Sequence, residues 1–347
     1  MRTRDLGHSE LVDLDNLPFL DYTGLGVAEG EWALVMSSRG CPYTCSYCYR
    51  KHRVRRCHSM RYFVDHLEFL RDRFGLRAFR IDDEVFTLDR ARCLAICEEI
   101  LRRGLDITFD CYSRVNRFDH ELAAALRRAG CRMVWFGIES GADELLASMN
   151  KGQTAALAAR AVAEAKRAGL AVCCNVLVGY PGETQETILR TLLFLGQLRP
   201  DRLSVQRLRV MPGTEVFEHC REQGVMDDEV WLLEDRDFAY EKDFSRAALD
   251  ALVGLVQQAG DIALPETDPD LARYLILEAG RKICLCRDVS EQELRLAVRA
   301  GATSLPAVRK FTGATGGCGG CAKIVATLLR VWTADTAAPS SAGQAAS

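Results

Sequence analysis

The sequence predicts an α/β fold: a partial (β/α)6 barrel followed by a small, mostly helical module. Three observations predict it. Six short apolar runs lie between residues 32 and 208, amphipathic stretches separate them, and past residue 224 the pattern gives way to an acidic connection and a Pro/Asp-rich hinge. Alternation of this kind marks repeated βα units. A chain of 347 residues is long for one core, so a large domain plus a small one is expected.

The runs read as strands are 32–37, 77–81, 107–111, 132–137, 170–178 and 202–208. Between the first two, Phe63, Leu67, Leu70 and Phe74 share one face at helical spacing. Helices over 122–128 and 153–168 end at Gly130 and Gly169, the residue type expected just past a helix. Asp89 is placed to cap a further helix. Six such units suit a partial barrel or an open doubly wound sheet, and periodicity alone does not separate them. Beyond them come the acidic, tryptophan-containing connection 227–242, a helix from about 245 to 259, the hinge 264–270 and a second module. The expected division is an extension 1–30, a core barrel 31–225, a connection and linker 226–270, a module 271–333 and a disordered Ala/Ser-rich tail 334–347.

Composition narrows the chemistry. A net charge of −3 gives no sign of a nucleic-acid partner, and no apolar run is long enough to span a membrane. The N-terminus lacks the apolar stretch of a signal peptide, so a cytoplasmic location is expected. Fifteen cysteines in such a chain point to metal binding or catalysis rather than disulfides. Seven of them fall into two groups with ligand-like spacing.

The first group is Cys41, Cys45 and Cys48, a CxxxCxxC loop directly after the first strand. Three thiolates on one loop suit an iron–sulfur cluster and leave one iron of a [4Fe-4S] cluster open to a small molecule. Its place at a strand's C-terminal end favours the barrel, where chemistry sits at that end. Zinc, the other soft-ligand metal, usually takes a fourth ligand, and none stands nearby. The segment resembles the radical S-adenosylmethionine (SAM) enzymes, and the likeness covers roughly residues 31–225. It implies a partial TIM-like (β/α)6 barrel and SAM chelated at the open iron.

The resemblance extends to the strand ends. Asp82-Asp83-Glu84 stands where such enzymes hold the SAM amino group, in a variant shared with the cobalamin and methylthiotransferase branch. A carboxylate there can accept from an ammonium. Glu139 and Ser140 lie in a Gly-x-Glu-Ser segment that implies contact with the ribose or carboxylate of SAM. Gly179 and Glu183 belong to a Gly-Tyr-Pro-Gly-Glu turn that implies an approach to adenine, and Tyr47 matches an aromatic beside it. Glu183 and Thr184 also suit capping of the following helix. Substrate candidates at strand ends are Tyr112, Ser113, Arg114, Asn116, Asn175, Gln206, Arg207 and Arg209, of which alternation turns about half away.

The remaining chemistry-bearing residues are less telling. Cys111 and Cys174 lie near strand ends where a thiol would quench a substrate radical. Cys93 and Cys97, one helical turn apart, read as core, as do Cys57, Cys131, Cys173 and Cys220. The basic run 50–56 reads as a solvated face or a surface for an acidic electron donor such as flavodoxin or ferredoxin. Position gives His52 and His58 no support as proton carriers.

The second group is Cys284, Cys286, Cys318 and Cys321, a CxC…CxxC pattern. Ser290 and Glu293 form a capping box between the pairs, and the glycine-rich run 313–317 precedes the last pair. This segment resembles the [2Fe-2S] domain of bacterioferritin-associated ferredoxin (BFD) and implies that cluster, held by all four cysteines. Zinc is the main alternative for four cysteines.

The expectation is a radical SAM enzyme that cleaves SAM to a 5′-deoxyadenosyl radical and abstracts hydrogen from a sugar, nucleoside or related natural-product intermediate. Decarboxylation, dehydration or dehydrogenation would follow, with the [2Fe-2S] cluster carrying electrons and antibiotic biosynthesis as a setting. The alternatives are an RNA-modifying or cobalamin-type transferase and a non-catalytic redox protein. No cobalamin domain is expected ahead of the cysteine loop.

Overall fold

The computed structural model describes residues 12–23, 32–49, 54–226, 238, 240, 242–244, 246–259 and 282–335. Most of the acidic connection, the hinge, the tail beyond 335 and residues 50–53 of the basic run, His52 among them, lie outside these. The barrel elements are β1 (Trp32–Val35), β2 (Ser38–Arg39), β3 (Arg56–Cys57), α1 (Met60–Phe74), β4 (Ala78–Ile81), α2 (Arg90–Arg102), β5 (Thr108–Ser113), α3 (His120–Arg128), β6 (Cys131–Glu139), α4 (Asp143–Ser148), α5 (Ala155–Arg167), β7 (Ala171–Val178), α6 (Gln185–Leu198), β8 (Arg202–Arg207) and α7 (Glu215–Glu222). After them come α8 (Arg246–Ala259), β9 (Lys282–Cys284), β10 (Val289–Ser290), α9 (Glu291–Arg299), α10 (Leu305–Thr312) and α11 (Ala322–Asp335).

Six parallel strands in the order β1-β4-β5-β6-β7-β8 form the partial barrel. Neighbours in the sheet follow one another in sequence apart from the β2/β3 insertion, the order that successive right-handed βα units generate. All six expected strands are present. Two run further than expected: β5 takes in Tyr112 and Ser113, and β6 runs on through Glu139. The short antiparallel pair β2/β3, which aligns Ser38 with Cys57 and Arg39 with Arg56, is not legible in the sequence. Two-residue strands carry no periodicity to read.

Helix ends follow local chemistry. Ser59 accepts from the Tyr62 N–H to start α1, and Gly75, at φ 70°, ends it. Asp89 and Asp119 cap α2 and α3 in the same way. Thr184 and Thr187 build a capping box at α6. The Ser290/Glu293 box opens α9 as its spacing predicts.

The chain divides into two compact units. The first holds residues 1–44, 50–137 and 156–174. In its core Phe63, Leu67 and Leu70 of α1 are fully buried, as are Phe79, Phe109 and Phe136 of the strands. Phe86 meets Phe109 edge-on at 6.4 Å. The second unit holds residues 45–49, 138–155 and 175–347, so the module of β9–α11 shares it with β8 and the last turns of β6 and β7. Its core gathers Leu145, Met149, Leu177, Leu208, Val216 and Phe217, with Tyr47 packed against them. No helix among the described residues is long and apolar enough to cross a membrane.

Candidate functional site

In the first unit the acidic triplet after β4 divides its work. Asp83 is fully buried, and its carboxylate accepts from the N–H and the hydroxyl of both Ser37 and Ser38, at 2.6 to 3.0 Å. Arg92 reinforces the same turn by donating to the Ser37 hydroxyl and carbonyl and to the His58 carbonyl, each at 3.0 Å. Asp83 is therefore a latch on the turn that leads into the cysteine loop. Glu84 accepts from the Gly40 N–H at 3.1 Å, one residue before Cys41. Asp82 is exposed, and its pKa is raised by burial of part of the carboxyl and by its acidic neighbours.

Arg114, a substrate candidate, is buried with its guanidinium 3.8 Å from the ring centre of Tyr43, and it also donates to the Asn116 side chain at 3.4 Å. Arg117 donates to the Tyr43 hydroxyl at 2.7 Å. These residues hold the cysteine loop's own tyrosine. Along β4 to β6, one sheet face carries Arg80, Asp110, Tyr112 and Trp135. Asp110 pairs with Arg80 at 3.6 Å and accepts from the Trp135 indole at 3.4 Å. Burial raises the Tyr112 phenol, on which Arg80, Asp82 and Cys173 also act. Cys173 thus shares this face, and the strand's alternation sends Cys174 to the other. Cys111 is fully buried beside Cys131, with Cys97 of α2 also acting on it, and that surrounding pushes its thiol up. It stands on the helix-covered face.

In the second unit the later half of the cysteine loop is fixed at several points. Ser46 donates its N–H to Met149 at the end of α4 and accepts from Val216 of α7, and its hydroxyl meets the Tyr180 hydroxyl at 2.8 Å. Cys48 closes a turn on Cys45 at 3.1 Å. Cys45 is buried, Cys41 half-buried and Cys48 exposed.

Tyr47, between these thiols, donates to Glu139 Oε1 at 3.0 Å. Lys151 Nζ lies 2.6 Å from the same oxygen and 3.0 Å from the Tyr47 hydroxyl. Burial, then the Glu139 charge, pushes the Tyr47 phenol well up. Glu139 sits at φ +65°, the left-handed region that a non-glycine residue enters at a cost. Lys151 escapes sequence reading: it follows a short helix among polar residues, with no motif to mark it. Ser140 turns inward, its hydroxyl 3.1 Å from Thr191.

Glu183 is buried and accepts from the Gly179 N–H at 2.6 Å, so it braces the turn and leaves the capping of α6 to Thr184 and Thr187. Burial pushes its carboxyl up to about 8. Among the other substrate candidates, Arg207 pairs with Asp250 of α8, Asn175 is half-buried, and Gln206 and Arg209 are exposed.

The second cysteine group is drawn together. Cys284 and Cys286 stand with their sulfurs 3.6 Å apart, Cys286 touches Cys318, and Cys284 touches Cys321. The contacts form a chain rather than surround one point, and no described group is arranged around a single metal ion. Backbone N–H groups aim at the sulfurs: Thr315 at Cys284 and Cys321, Cys318 at Cys286, and Gly320 and Gln185 at Cys318. A β-carbon on Gly317 would lie 2.8 Å from the Cys286 sulfur. Spread thiols, N–H donors and a backbone without side chain fit a [2Fe-2S] cluster, whose sulfurs take such hydrogen bonds.

Residues 35–195 match the Radical SAM superfamily and residues 282–330 the BFD-like [2Fe-2S] binding domain. An uncharacterized methyltransferase of Pyrococcus horikoshii is 34% identical over 59% of this chain and 45% of its own length. The anaerobic magnesium-protoporphyrin IX monomethyl ester cyclase of Cereibacter sphaeroides is 31% identical over 58% of this chain and 34% of its own. The radical SAM methyltransferase TsrM of Kitasatospora setae, solved with cobalamin and a [4Fe-4S] cluster, matches at TM-score 0.53 and 27% identity over 56% of this chain and 40% of that one. The chain spans less than half the length of these relatives. Residues 35–195 are therefore a radical SAM domain, with [4Fe-4S] cluster and SAM as cofactors, and residues 282–330 a BFD-like domain for a [2Fe-2S] cluster.

Proposed function

We propose that the chain is a cobalamin-type radical SAM transferase acting on a small organic substrate, with a barrel of 31–225 and an electron module of 271–333. The observation that carries the radical SAM reading is the Tyr47–Glu139–Lys151 triad, which ties the cysteine loop to the end of β6. The transferase reading takes its support from the methyltransferases among the similar proteins. It displaces decarboxylation, dehydration or dehydrogenation as the leading expectation.

In this reading Cys41, Cys45 and Cys48 hold the [4Fe-4S] cluster, and Cys284, Cys286, Cys318 and Cys321 the [2Fe-2S] cluster. The reduced [4Fe-4S] cluster supplies the electron for SAM cleavage and an open iron for the amino and carboxylate groups of SAM. Asp82, rather than the latched Asp83, accepts from the ammonium. Glu139 and Lys151 offer an acceptor and a cation to the ribose and carboxylate. Gly179 presents backbone to adenine while Glu183 keeps the turn in shape. The partners are a small-molecule substrate and an external one-electron donor of the flavodoxin or ferredoxin class.

The attached [2Fe-2S] domain favours a second reading, hydrogen abstraction with net oxidation or reduction, because it can drain or supply single electrons. Anaerobic protein with both clusters, dithionite and methyl-labelled SAM separates the two. The transferase predicts S-adenosylhomocysteine that depends on added cobalamin. The second reading predicts 5′-deoxyadenosine alone, with or without cobalamin. Neither product would sink both.

A further inference from the structure

The [2Fe-2S] cysteines take one of their N–H donors from outside their own domain. Among the described residues, Thr315, Cys318 and Gly320 belong to the 282–330 segment, whereas Gln185 is the first residue of barrel helix α6. Three observations place Gln185 against the cluster site. Its backbone N–H donates to the Cys318 sulfur. Its side-chain amide donates to the Ile283 carbonyl, beside Cys284, at 3.3 Å. A β-carbon on Gly320 would come within 3.2 Å of the Gln185 β-carbon and 3.3 Å of its backbone nitrogen, so glycine there lets the two backbones approach. Gln185 is only 8% exposed, and its Oε1 has no hydrogen-bond partner.

We propose that Gln185 is a positioning residue of the [2Fe-2S] cluster: through its N–H to Cys318 and its amide to Ile283, α6 seats the BFD-like domain on the barrel and raises the cluster's reduction potential. The physical reason is electrostatic. Reduction adds one negative charge to an already anionic thiolate cluster, and an N–H donor at the positive end of a 14-residue helix stabilises the reduced form more than the oxidised one. The seat lies directly after Thr184 and the turn 179–183, so the same helix end that serves the proposed adenine turn holds the second cluster. The inference rests on the [2Fe-2S] reading of the four cysteines and needs no SAM chemistry.

Proline tests it with little other disturbance. Gln185 is the first helical position of α6, where proline is well accepted, and the preceding Thr184 already has extended backbone at φ −133° and ψ 167°. Gln185→Pro removes the N–H and the amide and keeps the helix, while Gln185→Ala removes only the amide. In the full chain carrying both clusters and without SAM, dithionite titration followed by electron paramagnetic resonance reads the [2Fe-2S] couple. The expected result is a reduction equilibrium constant about tenfold lower in Gln185→Pro, ~59 mV for one electron, and a smaller change in Gln185→Ala. An unchanged potential in a Gln185→Pro protein with an intact [2Fe-2S] spectrum overturns the proposal. Should that variant lose its cluster, 15N-glutamine labelling gives a second measurement. Wild-type protein should show a nitrogen coupling to the reduced cluster that vanishes in Gln185→Ala, and its absence from wild type also overturns the proposal. Failure of SAM cleavage would leave both results untouched.

Discussion

Glu183 and Lys151 show how buried ionisable side chains shape this chain. Glu183 has an ordinary value of 4.5, and burial raises it to about 8. A raised carboxyl means that the folded state holds its proton more tightly than the unfolded chain. The contribution is therefore fully present below about pH 4.5 and is lost as pH rises through about 8, a change on the order of 5 kcal/mol. Urea unfolding of wild type should lose more stability between these pH values than Glu183→Gln, whose amide oxygen still accepts from Gly179. Equal slopes would remove the claim. For Lys151, replacement by Met leaves the Glu139 carboxylate buried without its ammonium, at a cost of about 3–5 kcal/mol. In a double-mutant cycle, Glu139→Gln should recover part of that loss, and strict additivity would show that the pair is not coupled. Tyr47 and Glu139 were legible because both sit inside spaced motifs. Lys151 was not, since its role depends on where a helix ends and no local pattern reports that.

At the scale of elements, strands and helices were readable wherever apolar periodicity and capping residues coincide, as at α1, α6 and α9. Boundaries were less so. The two-residue extension of β5 places Tyr112 within the strand, and the one-residue step from Cys174 to Cys173 changes which thiol shares its face. Sequence alone treated Asp82, Asp83 and Glu84 as one group. Burial and hydrogen bonding separate them, because a long-range contact with Ser37 and Ser38 uses Asp83. Asp83→Asn should cost about 2 kcal/mol or more by replacing a charged acceptor of four hydrogen bonds. It should also lower iron retained by the CxxxCxxC loop, measured against Asp82→Asn, which should leave folding stability nearly unchanged. Equal melting of the two variants would contradict the latch.

Across the whole molecule, both domains were recognisable because each rests on clustered thiols at fixed spacing. The seat of the second domain on α6 was not, since it joins Gln185 to residues 98 or more positions away, and the groups it meets there are a backbone carbonyl and a thiol that no local pattern links to it. In the proposed reading the CxxxCxxC loop supports reductive cleavage of SAM. The most direct test is anaerobic incubation of the cluster-loaded protein and of Cys45→Ala with dithionite, cobalamin and methyl-labelled SAM. Wild type should consume SAM and form 5′-deoxyadenosine together with cobalamin-dependent S-adenosylhomocysteine, while Cys45→Ala retains the [2Fe-2S] spectrum and forms neither. A wild-type protein that carries both clusters and leaves SAM intact would contradict it.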